Sequence, residues 1–238
     1  MNIDILIIAA HPDDAELCCA GTILKHVDQG HSIGMIDLTE GEMGTRGTRE
    51  IRVEEAQKSA EILGLKFREN MSFKDYFFKN DLEHQEAIVK KIRKYKPRII
   101  LTNAISDRHP DHAKASQLVV DSVFLSGLRK FETQNDGKSQ PAFRPDQLFH
   151  FIQNNYIEPD FVIDISGFWD KKKESIMAFK SQFYDPNSDE PESFISSKEF
   201  FHFIEGRHRE MGHKIGVEFG EGFTSSKKLG MKSLFDII

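Results

Sequence analysis

Thiols are nearly absent from this chain of 238 residues, which holds two cysteines, Cys18 and Cys19, side by side. Sequence neighbours with no third thiol cannot build a disulfide framework, and they lack the Cys-x-x-Cys spacing of a zinc or redox site. Both read as small apolar residues on or beside the buried face of a helix. No apolar run is long enough to cross a bilayer. The opening residues Met1, Asn2, Ile3 and Asp4 lack the basic stretch of a secretory signal, so the expectation is no membrane partner and a cytoplasmic location. An excess of positive charge is also missing: the formal net charge is −6, which argues against nucleic acid as a partner. The one dense basic run, Lys171, Lys172 and Lys173, reads as a solvated helix face. There is no internal repeat and no low-complexity tract.

What is present is enough apolar material, 39% of residues, to build a continuous core in a single domain spanning residues 1–238. Residues 3–10 form a short apolar run broken only by Asp4, as expected of a strand buried on both faces. Helical spacing follows over residues 14–27, with Gly30 as a stop. A second strand is predicted over residues 32–38, then a glycine-rich polar loop over residues 40–48. Helices are predicted over residues 50–63 and 82–95, with Gly64 and Pro97 just beyond their ends. A strand at residues 98–102, a helix at 111–128, a surface loop at 131–144, strands at 148–153 and 161–165, and helices at 168–183 and 197–211 complete the pattern. The segment 184–191, rich in Asp, Asn, Ser and Pro, reads as a turn or an exposed active-site loop. Such alternation predicts an α/β, Rossmann-like sandwich with a mostly parallel central sheet and helices on both faces. Its ligands sit outside the carboxyl ends of the strands.

Two tetrads occupy such positions: His11-Pro12-Asp13-Asp14 and His109-Pro110-Asp111-His112. In each, the first and fourth residues lie three apart, so a turn of helix brings their side chains to one side. Imidazole and carboxylate are the ligands zinc takes in hydrolytic sites, commonly three from the protein with one position open for water. His11, Asp14 and one histidine of the second tetrad meet that count. The plainer alternative is that each Asp is a helix cap and each Pro a helix starter. One tetrad alone decides nothing between the two; a pair of them, both at strand ends, favours the metal. The loop at Gly41 to Gly47 lacks the Gly-Lys-Ser/Thr ending of a P-loop and the Gly-x-Gly-x-x-Gly of dinucleotide folds, so it is not read as a nucleotide cradle. Phenylalanine is abundant, 20 residues against 4 tyrosines, mostly for the core. Phe194, Phe200, Phe201 and Phe203 are candidates for an oligomer interface.

The paired tetrads resemble the LmbE/PIG-L superfamily of zinc-dependent N-acetylglucosaminyl deacetylases. The loop 40–48, Arg52, Arg108 and the stretch 216–223 resemble its bacillithiol-biosynthesis branch. That resemblance implies zinc held by His11, Asp14 and His112, with Fe2+ an alternative for the same ligands. It implies Asp13 as general base, His109 to stabilise or protonate the tetrahedral intermediate, and Asp111 to favour protonated His109. Arg52, facing the polar end of the substrate, would bind it together with Glu42, Met43 and Arg108. The implied reaction is hydrolysis of the acetamide of N-acetylglucosaminyl malate, releasing acetate and the amino sugar. Other N-acetyl sugars, chitooligosaccharides or thiol conjugates are the alternative substrates, and a non-enzymatic metal-binding module is disfavoured by the presence of Asp13. By the same resemblance the chain is expected to be a homo-oligomer, with a hexamer as one form.

Overall fold

The computed structural model describes residues 2–237. In chain order the elements are β1 (Ile5–Ala9), α1 (Asp14–Asp28), β2 (Ile33–Thr39), α2 (Arg49–Leu63), β3 (Phe67–Phe73), α3 (Leu82–Tyr95), β4 (Ile99–Thr102) and α4 (Pro110–Ser126). They continue with β5 (Thr133–Asn135), β6 (Lys138–Gln140), β7 (Gln147–Phe151), β8 (Phe161–Asp164), α5 (Trp169–Met177), α6 (Lys198–Lys214) and β9 (Gly220–Thr224). Seven strands form one sheet in the order β3-β2-β1-β4-β7-β9-β8. The first five are mutually parallel, and β9 runs antiparallel to both its neighbours.

The α/β sandwich expected from the sequence is therefore what the chain forms, and β1 shows why. Its residues point alternately to the two faces of the sheet. Ile5, Ile7 and Ala9 pack with Ala15, Cys19 and Ile23 of α1, whereas Leu6 and Ile8 pack with Ile88 and Ile92 of α3 and Leu118 and Val119 of α4. A strand covered on both sides has no polar face, hence the unbroken apolar run. The sheet grows from β1 toward β2 and β3 on one side and toward β4 on the other, which makes the β1/β4 boundary its switch point. Loops leaving two adjacent strands diverge there and open a crevice.

Four details depart from expectation. Strand β3 reads Phe-Arg-Glu-Asn-Met-Ser-Phe and sits at the sheet edge, partly exposed, so its polar residues hide it. Strand β9 carries two glycines and a buried Glu221, a composition with no strand signature. The segment predicted as loop at 131–144 contains the small hairpin β5–β6. Lys172, expected on a solvated face, is fully buried, with Nζ 2.6 Å from Glu221 and 3.0 Å from the Leu17 carbonyl. The same Glu221 accepts from the backbone N–H groups of Gly21 and Thr22, so one buried ion pair ties α1, α5 and β9 together.

Candidate active site

The chain leaves β1 at Ala10 and turns through His-Pro-Asp-Asp into α1. Asp13 takes φ 114°, an unfavourable value for a residue with a side chain, and its carboxylate makes no capping bond to the helix. It is turned instead toward Arg52 of α2, whose Nη2 lies 3.1 Å from Asp13 Oδ2 and 2.6 Å from the Pro12 carbonyl. The other amino group, Nη1, donates to the Gly41 carbonyl at 3.0 Å. Gly41 has φ 68°, and a Cβ there would stand 1.9 Å from Arg52 Nη1. Only glycine lets the loop approach this closely.

Asp14 is central. Its Oδ1 is 3.0 Å from His112 Nε2, and its Oδ2 is 3.6 Å from His11 Nδ1. Two amides brace it: Asn103 Nδ2 donates to Oδ2 at 2.9 Å and Gln153 Nε2 to Oδ1 at 3.0 Å. Each histidine is also held from its far edge by a carboxylate, His11 Nε2 by Asp75 at 3.0 Å and His112 Nδ1 by Asp107 at 2.5 Å. Carboxylates placed behind imidazoles in this way fix the tautomer and aim the free nitrogen inward, the arrangement found around metal ligands. Two imidazoles and one carboxylate suit zinc, and a His/Asp site able to hold a metal is thus present. Among the described residues, the groups of three whose ligand atoms all lie within 4.8 Å of one another are His11, His109 and His112, and His11, Asp75 and Asp111; Asp14 belongs to neither. Asp75 and Asp111 both address Nε2 of His11, whose Nδ1 is the atom turned to Asp14.

Electrostatics follow from the crowding of carboxylates. Burial alone would depress both histidines, but His11 is carried well above its usual pKa by Asp111, Asp14 and Asp75. His112 is raised to about 9 by Asp14 and Asp107 against the same burial. Despite burial, Asp14 lies well below the carboxylate range because of His112 and His11. Asp13 goes the other way: burial, then the charge of Asp14, pushes it up to about 7, with Arg52 and His11 opposing. A buried carboxyl poised near neutrality is what a general base requires.

His109 caps α4, with Nδ1 accepting from the Asp111 N–H at 3.3 Å. Burial and the charges of His11 and His112 lower its pKa. A neutral ring accepting at Nδ1 carries its proton on Nε2, so His109 is a hydrogen-bond donor without being an imidazolium. The Asp111 carboxylate bonds elsewhere, to the Tyr76 N–H at 2.9 Å and Lys114 at 2.7 Å, and not to the His109 ring.

His11, Asp13, Asp14, Arg52, His109 and His112 line one cavity of about 600 Å3 with Met43 and Arg108. Asp111 is fully buried just behind it. Glu42 is exposed and accepts from the Asp75 N–H, off the cavity wall. Arg52 lines the cavity with its amino groups donating to Pro12, Asp13 and Gly41, a tie to the first tetrad that the sequence did not indicate, while its Nε is left without a partner. Sequence reasoning passed over Asp75, Asp107, Asn103 and Gln153. Asp107, five residues before His112 in the loop that leads into α4, was open to detection; Asp75 lies beyond the unpredicted β3, and Gln153 follows β7 with no motif to mark it. The segment 184–191 stands off the cavity wall and packs on the glycine loop, through Ser188 to Arg46 at 2.8 Å and Glu190 to the Gly47 N–H at 3.0 Å.

Residues 6–123, from β1 into α4, match the PIG-L family described as GlcNAc-PI de-N-acetylase. The diacetylchitobiose deacetylase of Thermococcus kodakarensis is 32% identical over 193 residues, covering 75% of this chain and 70% of that protein. The chain belongs to the PIG-L family. A probable N-acetyl-alpha-D-glucosaminyl L-malate deacetylase 2 of Bacillus anthracis is 28% identical to this PIG-L member, over 75% of the chain and 81% of the relative. The conserved protein TT1542 from Thermus thermophilus superimposes with a TM-score of 0.87 at 34% identity, over 98% of both chains. Deacetylases of this family are hydrolases acting on amide bonds, and the part of the chain that matches the family carries both tetrads.

Proposed function

We propose that this PIG-L family member hydrolyses the acetamide of an N-acetylglucosaminyl substrate, with zinc held by His11, Asp14 and His112. The observation that carries the reading is the different placing of two adjacent carboxylates: Asp14 lies between the His11 and His112 rings, 3.6 and 3.0 Å away, while Asp13 stands on the cavity wall, held by Arg52 at 3.1 Å. A carboxylate between two imidazoles suits a metal ligand, and its neighbour on the cavity wall suits a base. Held by these three residues, zinc would supply Lewis-acid chemistry, making hydroxide available from water at a pH of about 7 and polarising the amide carbonyl. Asp13 takes the proton of the attacking water, and the Arg52 contact keeps its carboxylate aimed. His109 donates from Nε2 to the oxygen on which charge develops. The proton held by Asp13 then passes to the departing amine, releasing acetate and the free amino sugar.

For the aglycone, the motif resemblance and the Bacillus anthracis relative support malate, and Arg108, exposed on the cavity wall, is the cation available for its carboxylates. The Thermococcus kodakarensis relative supports a second reading, diacetylchitobiose. Zinc-loaded protein incubated with N-acetylglucosaminyl malate, diacetylchitobiose and N-acetylglucosamine, with release of acetate and free amine measured, separates them. Failure to release acetate from all three would overturn the deacetylase reading.

A further inference from the structure

Three of the four phenylalanines that the sequence offers for an oligomer interface, Phe194, Phe200 and Phe203, stand on the wall of the catalytic cavity. Their rings form a continuous strip: the Phe200 centroid is 5.5 Å from Phe194 and 6.2 Å from Phe203. Ile204, on the next position of α6, extends it. The strip is tied to the histidines by Arg108, the residue before His109, whose guanidinium lies 4.2 Å from the Phe194 centroid. Phe200 is buried, but Phe194 and Phe203 keep 52% and 41% of their surface exposed. Met43 and Tyr76, which line the same cavity, are also about half exposed, at 60% and 51%. One cavity thus presents several apolar side chains to water beside its polar cluster. Exposed apolar surface gathered at a polar reaction centre marks the part of a pocket that a ligand covers.

The strip lies outside residues 6–123, the stretch that matches the family and carries both tetrads. The reacting cluster and the phenylalanine strip are thus supplied by different parts of the chain. The geometry points to an aglycone subsite for an apolar group: the strip receives an aryl or alkyl substituent on the sugar while the acetamide faces Asp13 and His109. This inference rests on the deacetylase reading and sharpens its substrate class. Malate would engage Arg108 at one end of the strip and leave the rings uncovered, so the apolar subsite widens the substrate class beyond a malyl sugar.

The test compares methyl, phenyl and octyl N-acetylglucosaminides of one anomeric configuration on the zinc-loaded full chain, by acetate release and, in parallel, by calorimetric binding. Covering the strip should favour phenyl and octyl over methyl by about tenfold or more in kcat/KM, the effect of removing some tens of Å2 of apolar surface from water. Phe203→Ser should bring that ratio toward one, and Phe203→Leu should keep most of it. Phe203 is exposed enough that neither change threatens the core, and Phe194→Ser serves as a second probe. A ratio near one in the wild-type protein, or one unmoved by both serine variants, overturns the inference. So does a change of oligomeric mass in Phe203→Ser with the ratio intact, which would assign the strip to a second copy of the chain. If none of the three glycosides releases acetate, the deacetylase reading falls. The calorimetric phenyl-to-methyl ratio then still decides for or against the strip.

Discussion

Arg52 Nη2 and Asp13 Oδ2 lie 3.1 Å apart with both side chains almost wholly buried, so the cation nearest the proposed base is tied to the protein through its amino groups. Breaking a buried pair by removing one partner leaves the other charge uncompensated, at about 3–5 kcal/mol. Arg52→Ala should therefore lower the thermal midpoint and reduce turnover to a similar extent on N-acetylglucosaminyl malate and on diacetylchitobiose. A loss confined to the malyl substrate would show instead that Arg52 turns outward to grip a carboxylate.

Binding and chemistry separate at the adjacent pair. Asp13→Asn keeps the side-chain shape and removes the proton acceptor, so zinc content should stay near wild type while kcat falls by roughly 10²–10⁴, the usual scale of general-base catalysis. Asp14→Ala and His112→Ala each remove one of three proposed ligands and should lose most of the metal. Elemental analysis alongside kcat distinguishes the two classes, and full metal in Asp14→Ala would refute the ligand assignment.

The carboxylates behind the histidines make a finer test. Asp75 and Asp107 touch His11 and His112 on the edges turned away from Asp14, so Asp75→Asn and Asp107→Asn leave the proposed ligands in place and loosen their aim. Supporting groups of this kind are typically worth roughly 10–100-fold in metal affinity. Competition with a chelator of known affinity should register that loss in both variants, with the folded structure intact by circular dichroism. Unchanged affinity in both would mean that the metal sits on another face of His11.

How far the site could be read from sequence depends on how local each contact is. His11 and Asp14, like His109 and His112, sit within one turn of chain at a strand end, and their tetrads mark them directly. Arg52 also carries a motif signal, but its partner does not: the contact with Asp13 spans 39 residues and depends on Gly41 clearing a path. Asn103 and Gln153 meet Asp14 only because β4 and β7 are neighbours in the sheet, a pairing no periodicity reports. Lys172 failed for a related reason. Three consecutive lysines look solvated until β9 brings Glu221 beneath the middle one.

Acid sensitivity should arise partly from His208, which α6 buries at the cavity wall, outside the proposed ligand set. Its Nδ1 donates to the Ile204 carbonyl at 2.7 Å, and its Nε2 lies 3.9 Å from Glu221. Burial, then the Lys172 charge with a smaller share from Arg207, holds its pKa well below the ordinary value near 6.5, and the Glu221 contact does not reverse this. A histidine with a depressed folded pKa takes up its proton more readily in the unfolded chain, so its contribution favours folding above pH of about 6.5 and is lost as the pH falls toward the folded pKa. Over that window one such group changes stability by at most about 1.4 kcal/mol per pH unit. For a chain of this size that is a few degrees of midpoint per unit, about 2–4 °C for each kcal/mol. The thermal midpoint of the wild-type protein should therefore fall more steeply between pH of about 7 and 5 than that of His208→Phe, which keeps a ring beside Trp169 and cannot take a proton. Because the comparison is a difference between two proteins sharing the same proposed metal ligands, any metal release at low pH affects both and cancels. Parallel curves for the two proteins would mean that His208 titrates alike in the folded and unfolded chains, and acid sensitivity would then have to come from other groups, among them the carboxylates and His150, whose pKa burial also lowers.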